Sequence, residues 1–125
     1  LSRKNVYLIA AIIWFAISFY LLTIPGKRLP QIGWLDKLHA DKLVHITMFF
    51  VLSYLFIYPV KKSQNRDFWM ITICFAAIIY GIAMEFVQKY FIPFRSFDVN
   101  DMIADAVGAL AAFFWLKYKF TKQKK

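Results

Sequence analysis

Residues 41–58, DKLVHITMFFVLSYLFIY, open with three ionisable side chains, Asp41, Lys42 and His45, and then run to the end of the stretch without another charge. As a helix rising 1.5 Å per residue the stretch reaches about 27 Å, close to the roughly 30 Å of a bilayer's hydrocarbon core. A charge at the centre of such a span costs roughly 2.5 to 3.5 kcal/mol on insertion scales, so charges retained beside one mark a site. Working outward, residues 6–24 (VYLIAAIIWFAISFYLLTI) are again long and apolar, residues 68–91 are apolar as far as Glu85, and residues 101–118 carry Asp101 and Asp105 at their start. The pattern predicts an all-α integral membrane protein, a compact four-helix transmembrane bundle.

Composition agrees. Of 125 residues 61% are hydrophobic and 20% aromatic, more apolar surface than a small soluble domain can hide. In lipid each backbone donor and acceptor needs an internal partner, which leaves helix against helix as the architecture for one domain spanning 1–125. The single cysteine, Cys74, forms no disulfide framework. The first apolar stretch follows Arg3 and Lys4 as a signal peptide would, but it is too long and PGKRLP offers no small-residue cleavage site, so it is expected to remain. Pro25, Gly26 and Pro30 break the chain after it, and residues 31–40 (QIGWLDKLHA) read as an interfacial segment. Residues 119–125 read as a basic, solvated tail. Asp98 or Asn100 is expected to cap the last helix, and Ser53 and Thr72 to bond back to their own helices.

Basic residues give an orientation. With four spans both termini share a side, and Arg3, Lys4, Lys61, Lys62, Arg66 and the lysines from 117 onward lie there, ten of the sixteen Lys and Arg. The positive-inside rule then predicts cytoplasmic termini. Among the acids only Asp67 joins that side; Asp36, Asp41, Glu85, Asp98, Asp101 and Asp105 fall on the other. The net charge of +9 is explained by topology and anionic lipid, and no nucleic-acid partner is expected.

Helical spacing gathers the polar positions. Asp41 and His45 share a face, Glu85 and Gln88 share one with Gly81, and Asp101 and Asp105 share one with Gly108. Gly81 and Gly108, with Ala104 and Ala112, allow close helix approach, which predicts three polar stripes around one extracytoplasmic cavity. The first helix has no such stripe and reads as a packing wall, and Tyr80, Tyr90, Trp34 and Trp115 as packing or interfacial anchors.

The strings DKLVHITMFF, MEFVQ and RSFDVNDMIADAVG, in this order, resemble the VanZ-like family of small bacterial membrane proteins. The resemblance covers residues 41–112. It implies signature polar positions at Asp41, Lys42, His45, Glu85, Gln88, Arg95, Asp101 and Gly108, a multi-pass location in the bacterial cytoplasmic membrane and a link to resistance to the glycopeptide teicoplanin. The sequence departs from the family pattern at Asp105, where Asn is more usual, and at Ala112, where Gly is common.

Three classes of function fit. A binding protein would use Lys42, Gln88, Arg95, Asp98, Asp101 and Asp105 to hold an envelope lipid headgroup, a cell-wall precursor or a lipophilic glycopeptide. A membrane-embedded hydrolase or transferase would use His45 with Asp41 or Glu85 as general base on a phosphate-bearing envelope lipid, where carboxylates offer a divalent cation a place. A small transporter would need oligomers to make a pathway. The binding class is preferred, with no cofactor and no metal required because Lys42, Arg95 and a protonated His45 can offset the acids; binding of an anionic group is then expected to strengthen as pH falls. The bland alternative is an ion-pair network that only holds helices together.

Overall fold

In the computed structural model, residues 1–24, 40–93 and 97–123 are described, with backbone alone at Ala40 and Asp41. Arg95, the Asp41 side chain and the segment expected at the interface, up to residue 39, lie outside the described residues. Four helices follow one another: α1 (Arg3–Thr23), α2 (Ala40–Ile57), α3 (Arg66–Phe91) and α4 (Val99–Gln123). A short 3-10 turn, Tyr58–Val60, ends α2. All four are long and apolar enough to cross a membrane, and the described residues contain no strand.

Local chemistry sets the ends. Ser2 caps α1 by accepting from the Asn5 amide at 3.1 Å, so that helix begins earlier than the apolar run. Asp98 caps α4, its Oδ1 accepting from the Asn100 amide at 2.9 Å, which moves the start to Val99. At its other end α4 continues through residues expected to form a loose tail. Phe120 there is buried and meets Tyr58 edge-on with ring centres 5.8 Å apart, while Lys119 lies over the Tyr58 ring. Packing of that ring extends the helix to Gln123. Tyr7 also stacks on Tyr58 at 4.2 Å, so both ends of the chain emerge at the same end of the bundle.

Among the described residues the most extensive helix contact is between α2 and α4. Gly108 sits against the Ile46 carbonyl and the Phe50 amide of α2, and Ala104, Ala109 and Ala112 are buried along the same helix. Small residues permit this because contacts, rather than water exclusion, hold helices together in lipid. A Cβ at position 108 would run into backbone, which cannot swing aside. Gly108→Ala is therefore expected to destabilise the bundle by about 1–3 kcal/mol or to shift α4 outward, measured as the midpoint of thermal unfolding in detergent.

At Gly81 the close approach is to a side chain rather than to backbone. A Cβ there would meet the Asp105 side chain, at 2.8 Å from Oδ2 and 2.9 Å from its Cβ, so the glycine leaves room for a carboxylate. The first helix is indeed thinly buried, with only Ala11, Ser18 and Leu22 inside. Yet it is tied by polar contacts: the Trp14 indole donates to the Met48 carbonyl at 3.0 Å, and the Ser18 and Tyr80 hydroxyls lie 3.3 Å apart. Thr72 bonds back to the Phe68 carbonyl, whereas the buried Ser53 hydroxyl has no partner among the described residues. Ser53 lines a mostly apolar cleft of about 200 Å³ with Phe15, Phe56, Ala77 and Tyr80.

Candidate functional site

At the end of the bundle opposite the termini, α2, α3 and α4 each contribute ionisable side chains within a turn or two of a helix end. His45 is five residues into α2, Asp105 six into α4, and Glu85 six before the end of α3. That places them roughly 7 to 9 Å along their helices from the boundary. Glu85 and Asp105 are each 1% exposed and His45 7%.

His45 joins two helices. Its Nδ1 is hydrogen-bonded to Asp105 Oδ1 at 2.8 Å, and its Nε2 lies 3.7 Å from Asp101 Oδ2, too long for a hydrogen bond and close enough for a strong field. The helical repeat puts Asp101 and Asp105 one above the other on α4, so one imidazole can face both. Gly81 completes the seat of the Asp105 carboxylate from the α3 side.

Lys42, almost a turn before His45, reaches in the same direction. Its ammonium bridges Asp98 Oδ2 and Asp101 Oδ1, each at 2.5 Å. The ammonium beside Asp98, which lies just outside the spans, holds its carboxyl below the usual carboxylate range. Glu85 Oε2 accepts from the Asp98 amide at 3.0 Å, fixing the approach to α4 from below. The described site thus holds four carboxylates, Glu85, Asp98, Asp101 and Asp105, around Lys42 and His45.

The expected residues separate into two groups. Lys42, His45, Glu85, Asp98, Asp101 and Asp105 come together. Gln88 is buried nearby, but its amide donates to the Leu22 carbonyl of α1 at 2.9 Å, where it ties two helices. Trp14 and Ser18 also belong to this supporting framework, outside the polar stripes that helical spacing marks. The usable signal was general: an indole N–H or a hydroxyl inside an apolar span must find a partner on its own or a neighbouring helix. Among the described residues no group of three or more His, Cys, Asp and Glu is arranged to hold a metal ion.

Four membrane-length helices and a buried carboxylate–imidazole–ammonium cluster at one end define a small multi-pass membrane protein with ionisable groups gathered near one set of helix ends. The chain belongs to the VanZ/LLP1 family, whose profile matches residues 6–120. It is also 32% identical over 110 residues to an uncharacterized protein of Schizosaccharomyces pombe, a match covering 88% of this chain and 61% of that relative. The chain therefore spans less than two thirds of that relative's length. No solved structure matches it.

Proposed function

We propose that the chain binds the headgroup of a zwitterionic membrane lipid, with the ammonium end of the headgroup against the carboxylates of α4. The observation that carries this reading is the charge of the cluster. Lys42 is already shared by Asp98 and Asp101, and His45 lies between Asp105 and Asp101, so neither is offered outward as an anion-binding cation. The described groups leave an excess of carboxylates, to which a cation is complementary. Arg95, three residues before Asp98 in sequence, supplies the partner for the headgroup phosphate. A fungal relative also favours a lipid, common to many membranes, over a precursor peculiar to bacterial walls. Teicoplanin resistance and action in a bacterial inner membrane belong to this reading as the setting in which altered lipid or glycopeptide binding would be felt.

Because each proton taken up makes the cluster less negative, binding of an ammonium group is expected to weaken as pH falls from about 8 to 5.5, spanning the unperturbed histidine range. This sign is opposite to the one expected from the sequence, where His45 counted as a cation free to meet the ligand. In a His39→Gln background His45 is the only imidazole, and its NMR signals report the site. Glycerophosphoethanolamine should shift them, more strongly at pH 8 than at 5.5, and Asp101→Asn should weaken the response about tenfold, equivalent to about 1.4 kcal/mol. An equal response to glycerophosphoglycerol, which has no ammonium, would sink the proposal.

A second reading rests on the 2.8 Å contact between Asp105 and His45 Nδ1. A carboxylate on one ring nitrogen orients an imidazole for proton transfer through the other, as a general base requires. Release of headgroup from a phosphate-bearing lipid by the purified protein, lost in His45→Ala, would favour it over binding alone.

A further inference from the structure

A second polar feature lies at the other end of the bundle. An open cleft of about 750 Å³ is formed where the start of α1 meets the turn between α2 and α3. Its charged lining is cationic throughout: Arg3, Lys4, Lys61 and Lys62. The start of α1 adds the positive end of a helix dipole, and no acidic residue in its first turn offsets it. Tyr58 and Trp69 line the same cleft, side chains with an apolar ring and a polar edge that suit the level of lipid headgroups.

The geometry points to this cleft as a binding site for the phosphate-bearing headgroup of an anionic phospholipid. Three features select that occupant. Four cations with no opposing carboxylate among the described residues of the lining call for an anion. The position at the ends of three membrane-length helices puts the cleft at headgroup level, where a lipid arrives by diffusion in the plane of the membrane. Its volume is within the range of small-molecule pockets, enough for a glycerophosphate headgroup rather than a bare ion. The site is at the opposite end from the acid-rich cluster and does not depend on what that cluster binds.

Native mass spectrometry of the 125-residue chain, released from detergent after titration with phosphatidylglycerol or phosphatidylcholine, counts bound lipid directly. Retention of phosphatidylglycerol should fall when the cleft cations are removed, whereas phosphatidylcholine, whose ammonium suits the acid-rich end instead, should be retained equally with and without them. A juxtamembrane basic residue contributes about a fivefold factor in affinity, so Lys61→Gln with Lys62→Gln should weaken retention about 25-fold. Lys61 also lies over the Tyr58 and Phe120 rings, so Arg3→Gln with Lys4→Gln provides a second pair that leaves that stacking intact and should show a similar loss. Lys61→Arg with Lys62→Arg should retain binding.

Lys117→Gln with Lys122→Gln removes the same charge from the same end of the bundle but outside the cleft, and should change retention less than about twofold. Equal losses from this pair and from the cleft pairs would show a diffuse surface attraction and overturn the site. Displacement of the lipid by an equal concentration of inorganic phosphate would overturn a lipid occupant.

Discussion

Asp105→Ala is expected to destabilise the bundle by about 3–5 kcal/mol, the usual consequence of removing one partner from a buried ionisable pair. The carboxylate is almost wholly enclosed, it meets His45 Nδ1 at 2.8 Å, and it fills the space that Gly81 leaves on α3. Truncation removes the imidazole's partner and opens a void between α3 and α4 at the same time. Asp105→Asn should cost much less, since the amide oxygen still accepts from an Nδ1–H and the volume is kept. Unfolding midpoints in detergent for the two variants separate loss of the contact from loss of charge. Equal stability of Asp105→Ala and the wild type would mean that the pair holds nothing together. A double-mutant cycle with His45→Ala isolates the coupling between the two side chains.

The second large effect is expected at Lys42. Its ammonium bridges Asp98 and Asp101, so Lys42→Met leaves two carboxylates facing each other beside Asp105 and Glu85. The bridge is partly open to solvent, with Lys42 19% and Asp98 35% exposed at the side chain, which lowers the cost to about 2–3 kcal/mol at pH 7. Its pH dependence follows from Asp98, whose folded pKa is depressed by Lys42. A depressed carboxylate contributes stability that is fully present above its unfolded value and lost as pH falls through the folded one. The wild type should therefore keep the contribution at pH 7 and lose it below about pH 4, the ordinary carboxylate range. The gap between wild type and Lys42→Met should accordingly narrow in acid. A gap that widens as pH falls would contradict the bridge.

Gln88 shows where reading a helix face stops short. Its spacing from Glu85 places both near one face of α3, and both are buried there. Glu85 turns to the amide that begins α4, while Gln88 reaches the last turn of α1. Gln88→Ala is therefore expected to loosen α1 rather than to leave folding untouched. Periodicity gives the face; which neighbour stands opposite is set by how the helices cross.

Asp105 and Gly81 make the same point from two helices. A carboxylate on α4 and a glycine on α3 each look like a separate departure from a plain apolar span, and spacing implies close helix approach at both glycines without saying what approaches. Gly108 does meet the backbone of α2, but Gly81 meets the Asp105 side chain. The local sequence holds no trace of that difference, because it depends on the relative rotation of α3 and α4.

The sequence by itself determined the number of spans, their approximate limits, the end at which ionisable groups collect and membership of a family built on those motifs. Hydrocarbon thickness and the need to satisfy the backbone leave few alternatives for runs this apolar. Only the tertiary structure decided that Asp105 partners His45, that Lys42 is spent on Asp98 and Asp101, and that Phe120 draws α4 to Gln123. Those choices are made between helices, by side chains whose distances depend on crossing and rotation. A linear spacing rule carries neither.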